Sequence, residues 1–434
     1  MRNVMDYGVK GDGITKDTAA IQRAIDAGGM VYFPPGTYVC GTLYLRSNGG
    51  LNLSPGAVIY ASPDRQDYNA DDFCPQNGFS PTEHASGAHL IVAVEQKNIT
   101  ICGGGKIDGN RKAFYNENEV DSYGKHSIGE WRPGQMIFIC ECFDVAIRDV
   151  ELTNPPYWTC FLHGCEFVTV DGIKSRNPVC GHQTDGLDID CCRFVTVSNC
   201  LIDSADDAIT LRCSDKRLIN KKPCENITIS NCVLRSFSNA IRIGVGSGVI
   251  RNCTFNNIVI RESRSGVCMV GRYSGTAPYA RMENILFSNI VMDTEIPVNI
   301  VSSMLEEGPE KTDRFIRDIS FSHIRGTCRK PGVILGNEAV TIHNISFDNV
   351  ELTRKQGADI KVSDADFPER GSDSYGFGVP SAGFFVGNAA DVRFRNFRII
   401  WETEEEIWKY GLMTHNTHNL SVVDCDFGNK ENKI

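Results

Sequence analysis

The sequence contains no Cys-x-x-Cys pair, no block of lysine and arginine, and no run of 18 apolar residues. Without the Cys-x-x-Cys pair there is no zinc-knuckle or dithiol redox signature. Without a basic block, and with a formal net charge of −10, the footprint that phosphate backbones require is missing, so nucleic acid is not an expected partner. Without a long apolar run no transmembrane helix is expected, and so no membrane partner. The N-terminal Met1-Arg2-Asn3-Val4 lacks the pattern of a signal peptide and leads straight into a folding segment. The expectation is a cytoplasmic protein, with a trimmed leader and secretion as the alternative. Aromatic residues at 9% and charged residues at 23% are ordinary for a globular chain.

Cysteine, by contrast, is abundant, with 18 in 434 residues. Cys200, Cys232, Cys253 and Cys425 each follow Asn or Asp inside an apolar alternation. That placement predicts reduced thiols stacked in a core rather than disulfides or metal ligands. From about residue 95 a unit recurs: apolar-x-apolar, then Asn, Asp or Gly, then apolar. Examples are Val168-Thr169-Val170-Asp171-Gly172-Ile173, Val195-Thr196-Val197-Ser198-Asn199-Cys200 and Ile227-Thr228-Ile229-Ser230-Asn231-Cys232. Equivalent positions recur every 21 to 27 residues, for example Ile229 to Ile250 and Val170 to Val197. A period in the twenties made of short strands and no helices predicts an all-β solenoid of stacked coils, a parallel β-helix. The Asn and Asp suit left-handed corners and are expected to bond the backbone of the next coil.

Residues 17 to 27 carry apolar positions at helical spacing, with Asp17 or Thr18 to start and Gly28 to stop. This predicts a short N-terminal capping helix. The organisation expected is a single domain over 1–434, with the cap and first coils in 1–60 and the remaining coils in 61–434. Insertions at 61–90, 110–133, 272–283 and 354–383 break the period and are candidates for cleft walls.

The stretch Asn177 to Leu211 concentrates acids among apolar alternation. Gln183-Thr184-Asp185-Gly186-Leu187-Asp188 is followed, 21 residues after Asp185, by Asp206-Asp207. In stacked coils such a spacing places Asp185 and Asp206 one above the other, about 4.8 Å apart by strand spacing. Three uses stay open from the residues alone. One is hydrolysis of a glycosidic bond, in which crowding keeps a proton on one carboxyl. The others are a calcium site and acids that bond turn backbone.

These motifs resemble the polygalacturonase family of glycoside hydrolases, family 28. Gln183-Thr184-Asp185-Gly186 stands for the family's Asn-Thr-Asp-Gly, and Asp206-Asp207-Ala208-Ile209 for its Asp-Asp motif. Asn154-Pro155-Pro156-Tyr157-Trp158-Thr159 and the opening Tyr7 to Tyr38 are also similar to the family and to other β-helical pectin enzymes. The resemblance implies a right-handed, single-stranded, pectin-lyase-like β-helix and an inverting mechanism on a carbohydrate substrate without cofactor or metal. Asp206 would be the general acid, and Asp185 and Asp207 would activate water. Gln183 and Arg212 fall at substrate-binding places.

Two departures stand out. The family's Gly-His-Gly falls near Phe237-Ser238-Asn239, which has no His. Its Arg-Ile-Lys falls near Cys268-Met269-Val270, which has neither cation. An Arg fork on a sugar carboxylate has no substitute in Cys or Val. The expected substrate is therefore pectin-type but not plain homogalacturonan, with Arg242, Arg272 and His182 as alternative contacts. The alternatives are a β-helical lyase and a non-catalytic carbohydrate-binding protein. The sequence does not specify an oligomeric state.

Overall fold

The structure is a computed structural model and describes all residues except 123, 274–277, 304–313, 338–341, 358, 364–377, 403 and 429. Its contacts group into two compact units. The first is Met1–Thr210 with Asp215–Lys222, and the second is Leu211–Ser214 with Pro223–Ile434. Among the described residues no helix is long and apolar enough to cross a membrane, and no His/Cys/Asp/Glu group is arranged to hold a metal ion.

The first unit opens with helix α1 (Thr18–Asp26), which buries Ile21, Ala24 and Ile25. The carboxylate of Asp17 does not cap it. Both oxygens instead accept the N–H groups of Lys10 and Gly11 at 2.9 Å, pinning the glycine-rich opening turn. Parallel coils follow. One inward column runs Val31, Leu51, Ile101, Ile147, Val170, Val197 through successive strand pairings. Every member is at most 1% exposed. The coils thus begin some sixty residues before the repeat becomes legible, because the early turns are closed by glycine and proline instead of Asn.

Four strands of this unit form the floor of the site: β1 (Ile91–Val94), β2 (Ile137–Cys140), β3 (Cys160–His163) and β4 (Leu187–Asp190). They pair in parallel, so that Val92, Phe138, Phe161 and Asp188 form one column and Val94, Cys140, His163 and Asp190 another. Insertion 61–90 folds back over this face. Phe73 meets the edge of Phe138, and His89 stacks on Phe138 at 4.6 Å. Gln76 clamps it by donating to Glu95 at 2.7 Å and Glu141 at 2.8 Å.

All 18 cysteines are free. Cys200, Cys232 and Cys253 are buried, while Cys425 is only half-buried. They do not stack on one another as expected: Cys232 lies on Ile258, and Cys253 on Ile227. Elsewhere the Cys165 backbone N–H donates to Cys192 Sγ at 3.3 Å. Burial pushes the Cys165 thiol far up, so it packs as a neutral apolar group.

The second unit is built of longer parallel strands, including β5 (Asn239–Gly246), β6 (Val249–Arg272), β7 (Arg281–Ser303) and β8 (Ile316–Cys328). Strand β6 turns its corners at Asn252, Asn257 and Glu262, whose φ angles are 55°, 54° and 46°. Asparagine tolerates this region because its short side chain bonds locally. The bonds differ from the expectation, since the amides bond one another across coils: Asn284 to Asn252 at 2.8 Å, and Asn252 to Asn226 at 3.3 Å. Inside, Phe255, Phe287, Phe321, Phe347 and Phe394 stack at 4.7 to 5.1 Å. On the opposite side of the same strands, Ile360, Val379 and Trp408 cover Cys268, Val270, Val301 and Val333.

Candidate active site

The three sequence-predicted acids lie in the first unit, on the turns that lead into the floor strands. The Thr159 N–H donates to the Asp185 carbonyl at 2.8 Å. One coil further, the N–H groups of Gly186 and Leu187 donate to the carbonyls of Asp207 and Ala208, each at 2.9 Å. In parallel strands each N–H bonds the residue before its Cα partner, as Thr159 N–H to Asp185 does where Cys160 pairs with Leu187, so these bonds fix a register of 22 residues. Asp185 therefore stands opposite Asp207 on the adjacent coil, and Asp206 lies one residue off the place above Asp185 that its spacing predicted. The Ser204 hydroxyl donates to the Asp206 carbonyl at 2.6 Å and closes that turn. Asp185 is 4% exposed, and Asp206 and Asp207 are half-buried.

Asp188, from the same motif, is fully buried on the column that continues from Phe161. Asp190 lies 3.6 Å from His163 Nδ1. Two buried carboxylates thus stand beside three more acids.

Gln183 and His182 are held by a residue that the sequence offers only as part of a cleft wall at the end of an insertion. Arg132 is fully buried. It donates to Gln183 Oε1 at 2.8 Å and to the carbonyls of His182 and Pro156, both at 2.9 Å. It also donates to the Tyr115 hydroxyl and the Glu83 and His84 carbonyls. One guanidinium thus ties insertion 61–90, the hairpin Tyr115–Val120/His126–Ile128 and the acid-bearing turn together. The only signal in the sequence was its place at the end of an insertion.

The His182 side chain turns toward that hairpin, with Nε2 3.5 Å from Asp121. Burial, followed by the charge of Lys125, holds its pKa below the usual histidine value. Tyr157 is buried, donates its hydroxyl to Glu83, and stacks on the half-exposed Trp158 at 5.0 Å. Trp158 in turn meets Phe161 on the floor at 5.4 Å.

The basic candidates belong to the second unit. Arg242 is 7% exposed, pairs with Cys268 in the strand register, and donates to its sulfur at 3.1 Å. Its guanidinium lies 5.8 Å from the Tyr273 ring. Arg212 is half-buried, and Arg272 is half-buried opposite Ser303.

Residues 72–367 match the model of glycosyl hydrolases family 28, and residues 1–47 match that of the rhamnogalacturonase A/epimerase, pectate lyase-like group. The chain is 26% identical over 345 residues to an exo-poly-α-D-galacturonosidase of Dickeya chrysanthemi, covering 67% of this chain and 54% of that protein. It thus spans about half the length of that curated relative. Among solved structures it is similar to an exopolygalacturonase of Yersinia enterocolitica (18% identity, 96% and 78% covered, TM-score 0.71). A second is an exopolygalacturonase from Thermotoga maritima (21% identity, 81% and 86% covered, TM-score 0.67). These likenesses identify the fold as the right-handed parallel β-helix. The family match spans Arg132 and all three acids as well as most of the coils, and the chain belongs to glycosyl hydrolases family 28.

Proposed function

We propose that this chain is a glycoside hydrolase that cleaves a glycosidic bond in a pectin-type polysaccharide or oligosaccharide with inversion. Asp206 gives its proton to the glycosidic oxygen as that bond breaks. Asp185 and Asp207 take a proton from the water that attacks the anomeric carbon from the opposite face. The observation that carries this reading is the 22-residue main-chain register, which sets Asp185 opposite Asp207 on adjacent coils with Asp206 next to Asp207. Membership of the family and the name of the Dickeya relative support the substrate class.

The substrate is read as other than plain homogalacturonan. Cys268 and Val270 stand where the family carries cations, and both are buried, packed into an apolar cluster. The action is read as exo, because Phe73 and His89 close the floor of the first unit over Phe138.

The test is sugar release from a panel of pectic polysaccharides and side-chain oligosaccharides, comparing wild type with Asp206→Asn. A loss of about a hundredfold or more on a defined substrate supports the hydrolase. Product absorbance from a new C=C bond would instead indicate a lyase. Absence of release by a folded wild type would leave a carbohydrate-binding protein. Random internal cuts in a defined oligosaccharide would overturn exo action.

A further inference from the structure

Insertion 61–90 has a second side. Where its first residues leave the coils, they and the turn before β2 enclose a concavity of about 670 Å³, lined by Arg65, Gln66, Tyr68, Asn69, Asp71 and Trp131 among others. All of it lies within the first unit. Trp131 is half-buried and wedged edge-on between Tyr68 at 5.5 Å and Phe114 at 5.6 Å, so the position of its ring is fixed. The Arg65 guanidinium stands over that ring at 5.7 Å.

The polar groups around the ring divide sharply. Asn69 is fully used, accepting from Thr42 and His89 and donating to the carbonyls of Ala70 and Gly87. Asp64 shares Lys16 with Asp67, and Asp71 accepts the Gly87 N–H at 2.8 Å. Arg65 and Gln66 are exposed, and among the described residues neither side chain has a hydrogen-bond or ion-pair partner. A fixed indole with an unengaged guanidinium above it is the arrangement that takes an acidic sugar. The ring supplies a flat face for the apolar side of a pyranose, and the planar fork matches a carboxylate.

The place is not the reaction centre. The Gly134 N–H donates to Ala88, the Met136 N–H to Trp158 and the Thr159 N–H to Asp185, each at 2.8 Å. Ala88 on the far wall of the concavity stands three coils from Asp185, about 14 Å at one strand spacing per coil, and Trp131 enters from the next coil. The folded-back part of the insertion covers the floor between the two.

We propose that this concavity is a second, non-catalytic binding site for a uronate-bearing saccharide, which holds the polymer while a different part of it reaches the acids. The proposal rests on the reading of the chain as a pectin-type hydrolase. It also gives that reading a place for carboxylated sugar, which the buried Cys268 and Val270 do not offer.

The experiment is calorimetric titration of the Asp206→Asn protein with galacturonate oligosaccharides, repeated with Arg65→Ala and with Trp131→Leu added. One binding event is expected for this uronate ligand, which weakens at least tenfold in both added variants. A carboxyl-reduced oligosaccharide is expected to leave that event unfilled. Arg65 is exposed and holds nothing else in place, so its variant keeps the fold, which a thermal melt checks. No binding, or binding unchanged by both substitutions, overturns the site. Equal filling by the reduced sugar overturns the uronate assignment. Failure of the hydrolase reading shows separately, as sugar release that Asp206→Asn does not diminish.

Discussion

The guanidinium of Arg132 donates to the side-chain oxygen of Gln183 across 2.8 Å, from a position with no exposed surface. Gln183 sits at φ 45°, two residues before Asp185. That left-handed backbone is costly for a residue other than glycine and persists only when its surroundings hold it. Arg132 does so by binding both the Gln183 side chain and the preceding carbonyl. It is a positioning residue for the acid-bearing turn.

Arg132→Lys keeps the charge but cannot reproduce a fork that serves several carbonyls at once. The expected outcome is a protein destabilised by about 3 kcal/mol, the scale for breaking a buried charged network. At a temperature where it is still folded, kcat should fall and KM should rise together, since the displaced turn carries both Asp185 and the substrate-contact candidate Gln183. Chemical denaturation and steady-state kinetics on one preparation check both. Unchanged kcat in the folded variant would remove Arg132 from any role beyond stability.

The coils and the acids were legible because both are local or periodic. Alternation at Val168–Val170 and Val195–Val197 announces a half-buried strand within a few residues, and the 21-residue step from Asp185 to Asp206 falls one residue short of the 22-residue coil register there. What stayed hidden depends on irregular segments. The bond from Arg132 to Gln183 spans 51 residues, that from Gln76 to Glu141 spans 65, and no period connects them. The asparagine corners were read correctly as left-handed, yet their partners were not. Once each coil places an amide above an amide, the side chains satisfy one another, and the backbone is left to the strands.

The phenylalanine stack makes a quantitative prediction. Phe321 is 1% exposed and lies between Phe287 at 4.7 Å and Phe347 at 4.8 Å, nearly parallel to both. Neighbouring rings cannot close the gap, because their own positions are fixed by strand register. Phe321→Ala should cost about 3–5 kcal/mol. Phe321→Leu, which refills most of the volume, should cost markedly less. Equilibrium denaturation of the two variants checks the order; equal losses would mean that the stack tolerates a void.

His89 links stability to pH. Its ring nitrogens each face an oxygen at 2.9 Å, the Gln135 carbonyl and Asn77 Oδ1. The imidazolium would satisfy both, a gain on the scale of one hydrogen bond, about 1–3 kcal/mol. Against it stands full burial with stacking on Phe138 and, among the described residues, no paired carboxylate, which costs a cation several kcal/mol. Burial wins and lowers the pKa from 6.5 to about 4. The unfolded chain therefore takes up the proton first as pH falls. The stability that depends on neutral His89 is fully present above about 6.5 and is lost progressively down to about 4, a total on the order of 3 kcal/mol. Thermal melts across this window should show the loss in wild type and a flatter profile in His89→Phe, which keeps the stack but cannot titrate. Parallel profiles would assign the slope to other groups.

Arg354 tests what a buried charge is worth. It is 1% exposed, with its guanidinium 4.2 Å from the Trp408 ring and 5.5 Å from the Trp401 ring. Its Nε and Nη2 have no hydrogen-bond partner, and among the described residues it pairs with no carboxylate. Each indole returns about 2 kcal/mol to a desolvated cation. Taking a guanidinium out of water costs several kcal/mol, and two unsatisfied donors add to that. The sum runs against the charge, so Arg354→Met, which fills a similar volume with an unbranched apolar chain, should leave the melting temperature unchanged or raise it. Trp408→Leu should act in the opposite direction, by about 3 kcal/mol or more, because it removes the better-placed ring and leaves the cation buried with less to face. Differential scanning calorimetry of the pair decides the matter. A strongly destabilised Arg354→Met would show that the two indoles repay the full cost of burying the charge.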